Sequence, residues 1–255
     1  MPYNQNFYST YQDASARSAS KVLPHVLELV KPKTVVDVGC GIGTWLSVAL
    51  RLGVEQVRGV DGDYVERNQL LIPTERFTAA NLAKGFNLPT GETKFDLAMS
   101  MEVAEHLPAS DADGFVARLT SLSDAVLFSA AIPKQGGTGH INEQWPTYWS
   151  KKFAEQGFVM ADVVRPQCWE DPEIAYYYAQ NSFLYVRQSK VQELGVPAES
   201  ILPPDHWSLE AVHPQRWRQA NDPKRLNPWL VLRALPHVVR QGVRGRINRV
   251  MGKGF

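Results

Sequence analysis

Residues 35–45, VVDVGCGIGTW, restrict the possible folds more than any other stretch of the chain. A β-branched run ends at Val38, glycines alternate at 39, 41 and 43, and a helix-compatible segment, TWLSVALRLG, begins at Thr44. Strand, glycine turn and helix in that order open a parallel α/β sheet, whose ligands bind at the carboxyl edge where such turns lie. Gly39, Gly41 and Gly43 let the backbone approach a ligand where a Cβ would clash. A nicotinamide-type turn places its glycines first, third and sixth; here they fall first, third and fifth, and Thr44 is sixth. No Gly-Lys-Ser/Thr follows, which excludes a P-loop.

The rest of the chain repeats the alternation. Val22, Leu23, Val26, Leu27 and Val30 lie at helical spacing within 14–30, and Pro32 stops that helix. Strand patterns follow at QVRGVD (to Asp61), RFTAAN (to Asn81), FDLAMSM (95–101) and AVLFSAAI (125–132). Helices are expected over 110–122, with Ser110 and Asp111 as caps, and over 146–156. FVMADVV and NSFLYVRQ supply the last strands. Strands alternating with helices imply a parallel, helix-covered sheet. Prolines 197, 203, 204, 214, 223, 228 and 236 break the pattern. The expected divisions are a helical cap over 1–33, a sheet domain over 34–190 and an extension over 191–255.

At 44% hydrophobic and 21% charged residues, the composition is that of a globular protein. No run of about 18 apolar residues suits a membrane span, and the first 15 residues lack the pattern of a secretory signal. Cys40 and Cys168 alone cannot make a disulfide framework or a four-cysteine zinc site, so a reducing cytoplasm is expected. The charge is uneven. After Asp222 come eight Lys and Arg and no acid, which leaves the preceding part at −7 within an overall +1. Leu232, Leu235, Val239, Val243, Ile247 and Val250 keep a helical rhythm among those cations. Such a tail either lies peripherally on the inner, anionic membrane face or docks on a protein surface. The late basic residues have no interleaved aromatics and the body is acidic, so no nucleic-acid partner is expected. Nothing in the chain speaks to oligomeric state.

The glycine turn preceded by Asp37 resembles the first motif of the class I S-adenosylmethionine-dependent methyltransferases, an acid, one residue, then Gly-x-Gly-x-Gly. Three further motifs follow in order. VRGVDGD ends its strand at Asp61, followed by Gly62, about 20 residues on, where an acid accepts ribose hydroxyls. AANL resembles the adenine-framing motif, with Asn81 where Asp is commoner and Leu82 beside it. FDLAMSMEVAEHLP resembles the fourth, with Ser100, Met101 and Glu102 beside the methionine moiety. The resemblance runs from about Thr34 to Val186. It implies a Rossmann-like seven-stranded sheet, mostly parallel with an antiparallel last strand and helices on both faces. It also implies S-adenosylmethionine as cofactor. In similar enzymes a leading segment closes the pocket, which would bring Tyr11 or Arg17 to the donor carboxylate; otherwise the segment is simply the start of a surface helix.

The acceptor side is expected at the ends of the fourth and fifth strands. His106, after Glu105, either acts as a base or shapes the pocket. The stretch QGGTGHINEQW (135–145) follows the fifth strand, with glycines 136, 137 and 139 suited to a lid. His140 and Glu143 are candidate catalytic groups. His140, Asn142, Glu143, Gln144 and Trp145 suit a hydroxyl-rich acceptor, unless Asn142 only caps the next helix. Oxygen and nitrogen ligands are present, but at no recognisable metal spacing, and no metal is expected. The reading is a methyltransferase acting on a sugar hydroxyl of a cell-surface polysaccharide or glycolipid precursor. The alternatives are a small natural product, a quinone-type lipid or a protein side chain as acceptor, or a non-catalytic donor-binding module.

Overall fold

The structure, a computed structural model, describes residues 5–85, 88 and 94–222, with residues 5–12 described by their backbone only. The basic tail beyond Asp222 lies outside the described residues. Among the described residues no helix is long and apolar enough to cross a membrane.

Strands β1 (Thr34–Val38), β2 (Gln56–Asp61), β3 (Phe77–Ala79), β4 (Leu97–Met101), β5 (Ala125–Ser129), β6 (Phe158–Ala161), β7 (Phe183–Arg187) and β8 (Ile201–Leu202) form one sheet in the order β3-β2-β1-β4-β5-β7-β6-β8. β1 to β5 pair in parallel, whereas β7 runs antiparallel to β5 and β6, and β8 antiparallel to β6. This is the expected Rossmann-like sheet with one strand more than the seven foreseen. The two residues of β8, between Pro197 and Pro203, are too few to leave a period-two signal. Chain order reverses beside β1, which makes the crevice between the β1 and β4 ends the place for a ligand.

Alternate residues of each strand feed opposite faces. Val35, Leu97, Met99, Leu127 and Leu184 pack in one buried cluster with Val22, Leu23 and Val26 of helix α1 (Gln5–Val30) and Leu46 of α2 (Thr44–Arg51). Val36, Val38, Ala98, Val126 and Phe128 pack on the other face with Phe115 and Leu119 of α3 (Ala112–Leu122) and Trp149 and Phe153 of α4 (Pro146–Glu155). Both faces are therefore dry, which is why these strands read as continuous apolar runs.

Several boundaries differ from expectation. α1 begins nine residues earlier than 14, across a polar segment with no apolar rhythm to betray it. It ends where Lys31 turns left-handed (φ 50°) before Pro32. β5 stops at Ser129, since 130–132 already turn toward the following loop. Two short helices, α5 (Arg165–Cys168) and α6 (Tyr176–Asn181), fill the span between β6 and β7, so Asn181 closes a helix rather than opening a strand. Asp111 does precede α3, but without a side-chain cap bond. The first compact unit runs to His213, beyond the boundary expected at 190, because β8 keeps the chain on the sheet. The short helix α7 (Pro214–Ala220) belongs to a second unit.

Candidate active site

The glycine turn is built by conformations that only glycine adopts at little cost. Gly39, Gly41 and Gly43 have φ of 88°, 53° and 85°. A Cβ at Gly39 would stand 2.3 Å from a Val103 methyl, so the turn also packs directly against the segment after β4. At Gly41 nothing lies within 4 Å of such a Cβ: that face of the turn is open. It opens onto a cavity of about 920 Å³, lined by the β1, β2, β3 and β4 ends.

Asp61, at the tip of β2, is 5% exposed and holds the turn in place. Its Oδ2 accepts the Gly41 N–H at 2.6 Å, and Oδ1 accepts both the Gly62 N–H at 2.6 Å and the Tyr64 hydroxyl at 2.5 Å. Dehydration and the adjacent carboxylate push the Tyr64 phenol above its usual range. Asp37 lies buried beneath the turn with Oδ1 unpartnered, and burial, helped by the charge of Asp61, raises its pKa to about 8.

At the tip of β4 the chain is strained. Glu102 takes φ 56°, the left-handed region, at a cost of about 1–2 kcal/mol for a residue with a Cβ. The strain is held by a ring of bonds. Its N–H reaches the carbonyl and the hydroxyl of Ser129, both at 3.0 Å. Its carboxylate accepts from Gln135 Nε2 at 2.7 Å and Asn181 Nδ2 at 3.1 Å, and Asn181 also donates to Gln135 Oε1 at 2.9 Å. Burial raises the pKa of Glu102 despite those amides.

The loop after β5 forms a roof over the Glu105–His106 segment, although none of residues 135–145 lines the cavity itself. Glu143 organises it by accepting the Lys134 N–H at 2.6 Å, the Gly136 N–H at 2.7 Å and His140 Nδ1 at 3.0 Å. The Ile141 and Asn142 N–H groups bond the Glu105 carbonyl at 2.9 and 3.0 Å, tying roof to floor. His106 and His140 meet edge to face, 4.8 Å between ring centres. His106 Nδ1 faces the Gly139 carbonyl at 3.3 Å. Partial dehydration, with His140 alongside, lowers the His106 pKa.

Folding thus brings Gly39, Gly41, Asp61, Gly62, Asn81, Leu82, Glu102 and His106 to one cavity. Others fall elsewhere. Gly43 begins α2 and faces Ile72. Ser100 and Met101 are buried within β4, because every β4 side chain is enclosed by helices or neighbouring strands. Arg17 is exposed on α1, and the side chain of Tyr11 lies outside the described residues. Asn81 Oδ1 accepts the Ala83 and Lys84 N–H groups of its own turn.

Among the roof residues, Asn142 is 3% exposed and packs within the loop. Nor does it cap α4, whose N-cap is Trp145. Gln144 donates to Asn142 Oδ1 at 3.0 Å. Tyr64, Gln135 and Asn181 were not legible as site residues. Tyr64 follows the acid motif by three positions, and Asn181 is distant in sequence and reached only through β7.

The sequence matches the family described as a methyltransferase domain over residues 11–157. No curated protein matches it. Among solved structures, human N-acetylserotonin methyltransferase in complex with S-adenosylmethionine is 14% identical, with TM-score 0.50 over 71% of this chain and 55% of that one. An O-methyltransferase family protein from Burkholderia thailandensis is 15% identical, with TM-score 0.50 over 72% and 60%. Magnesium protoporphyrin IX methyltransferase from Synechocystis, with bound S-adenosylhomocysteine, is 17% identical, with TM-score 0.51 over 74% and 90%. The chain therefore spans little more than half the length of the first two, and at these identities the likeness is one of fold. With the family matched over more than half its length and the glycine turn, the acid on β2 and the β4 tip around one cavity, the chain belongs to the methyltransferase-domain family.

Proposed function

We propose that this protein is an S-adenosylmethionine-dependent O-methyltransferase whose acceptor is a sugar hydroxyl of a cell-surface polysaccharide or glycolipid precursor. The observation that carries the reading is the two-sided cavity. The open glycine turn and the Asp61 carboxylate suit a nucleoside, while His106 lines the other end, with His140 and the buried Glu105 beside it. The donor's methyl is already activated by the sulfonium, so the protein has to hold the donor, align the acceptor oxygen in line and exclude water.

Asp61 would hold the ribose once the Tyr64 hydroxyl gives way. Gly39 and Gly41 admit the donor's close approach. The hydroxyl proton would be lost at the His106–His140 end, where Glu143 fixes the ring of His140 through Nδ1. A roof rich in polar groups favours a hydroxyl-bearing acceptor over a flat apolar one. We place the enzyme in the cytoplasm, with the basic tail drawing it to the inner membrane face where such glycans are assembled.

Calorimetry with S-adenosylmethionine and S-adenosylhomocysteine tests the donor half, and tritium-methyl transfer into fractionated cell glycans tests the acceptor half. Saturable binding of both and label in the glycan fraction are expected. Label confined to protein or to apolar lipids would overturn the sugar acceptor, and absent donor binding would overturn the whole. Liposome sedimentation of the full chain, with and without the residues after Asp222, tests the tail; equal sedimentation would reject membrane attachment.

A further inference from the structure

The loop after β5 brings His140 to the adjacent pair Glu105 and His106, from which it is 34 residues or more away in the chain. We propose that Glu105, His106 and His140 bind a divalent first-row transition-metal ion beside the His106 end of the cavity. One ligand atom from each lies within 4.8 Å of the others. His140 Nε2 stands 3.9 Å from Glu105 Oε1, a gap that one ion about 2.0–2.2 Å from each would bridge.

Two features distinguish this cluster from a chance meeting of polar side chains. Glu105 is fully buried, neither carboxylate oxygen makes a well-formed hydrogen bond among the described residues, and its charged neighbour is His140 Nε2 at 3.9 Å. A buried carboxylate so weakly paired is costly, and an ion between it and the imidazoles would satisfy it. Next, each imidazole is held by the nitrogen it would not use. His140 Nδ1 faces Glu143 Oε1 at 3.0 Å, and His106 Nδ1 faces the Gly139 carbonyl at 3.3 Å. Metal-binding histidines are fixed in this way, their second nitrogen donating to a carboxylate or backbone carbonyl, which leaves the Nε2 lone pair for the ion. Glu102 lies outside this group, its carboxylate turned to the amides of Gln135 and Asn181.

Two nitrogens and one oxygen select manganese, iron, cobalt or zinc over magnesium or calcium. Three protein ligands leave coordination positions open, and His106 borders the cavity. The inference rests on the proposed function only for its role: the ion would take the acceptor hydroxyl in an open position and make its proton easier to lose to solvent. Carbon–sulfur cleavage and carbon–oxygen bond formation then follow at the donor, leaving a neutral thioether.

The test uses the full chain after chelator treatment, titrated with Co²⁺ by visible absorption and with Mn²⁺ by loss of the free-ion EPR signal. One equivalent per chain is expected, with binding weakened at least 10-fold by Glu105→Gln and by His140→Ala. His106→Ala, on an exposed side chain, gives the same readout where Glu105→Gln fails to fold. Glu143→Gln is expected to weaken binding 10- to 100-fold without removing a ligand. S-adenosylhomocysteine calorimetry on each variant separates loss of the ion from loss of the fold. No saturable uptake of either ion, or uptake that survives both His140→Ala and His106→Ala, overturns the site. Methyl transfer by ion-free protein would overturn its role and leave the proposed function standing. Ion binding without transfer to any hydroxyl compound would do the reverse.

Discussion

Replacing Asp61 by alanine removes the acceptor of three hydrogen bonds at once, of which the proposed donor would exchange only one. The Gly41 and Gly62 N–H groups bond the carboxylate from the main chain and stay in place. The Tyr64 hydroxyl, on a side chain 81% exposed, occupies Oδ1 at 2.5 Å and has to leave before a ribose hydroxyl can bond there. Donor binding therefore gains the difference between two bonds to one carboxylate, together with whatever the second ribose hydroxyl contributes at Oδ2. Hydrogen bonds to charged groups contribute about 1.5–3 kcal/mol each, and exchange reduces the net to about 1–3 kcal/mol. Asp61→Ala is thus expected to weaken S-adenosylhomocysteine roughly 5- to 150-fold. Tyr64→Phe removes the competitor and is expected to tighten it by about 0.5–1.4 kcal/mol, roughly 2- to 10-fold. The two effects are coupled, so in the Asp61→Ala background Tyr64→Phe should change nothing. Calorimetry on the four proteins closes the cycle. Unchanged affinity in Asp61→Ala, or a Tyr64→Phe effect of the same size in both backgrounds, would refute the exchange.

Gly39→Ala forces a Cβ onto Val103 at positive φ and should lower the unfolding free energy by about 2–4 kcal/mol in urea melts. Gly41→Ala, with open space around it, should cost about 1 kcal/mol and chiefly weaken donor binding; equal destabilisation by the two would contradict the packing of the turn. Asp37 keeps its proton in the folded protein up to about pH 8, whereas the unfolded chain releases it near pH 4. Its contribution to stability is therefore complete below about pH 4 and declines as pH rises towards 8. Asp37→Asn should flatten that part of the pH–melting-temperature curve, and an unaltered slope would remove Asp37 as its source. Asn181→Leu leaves Glu102 and Gln135 each one amide short and should destabilise the protein by about 1–3 kcal/mol; an unchanged melting temperature would show that the ring does not hold the Glu102 backbone.

What the sequence revealed followed from periodicity and local geometry. β1, β2, β4 and β5 are visible because both faces of the sheet are covered, making each strand a short apolar block. The glycine turn is visible because three positive-φ positions in five leave few other residues possible. The acid at the end of β2 is placed by its distance from that turn. Positions whose role depends on long-range contact were not visible. Glu102 looks like any strand-end acid until its φ of 56° and its two amide partners are seen. His140 and Glu105 are 35 residues apart, and nothing in their spacing announces a meeting that the roof's bonds to the Glu105 carbonyl bring about. β8 and the early start of α1 escaped because two residues between prolines, and a polar helical turn, carry no rhythm.

The stretch that defines the family stops at Gly157, yet β7 inserts between β5 and β6 from outside that stretch. Asn181, which ends α6 just before β7, supplies one of the amides at Glu102. A shortened protein ending at residue 157 would keep all four motifs and the whole roof. It would also lose β6, β7 and β8, expose the β5 edge, and leave the strained turn after β4 without its far anchor. Engineering or domain grafting based on the motif-bearing segment alone would thus remove part of the very pocket it set out to transplant.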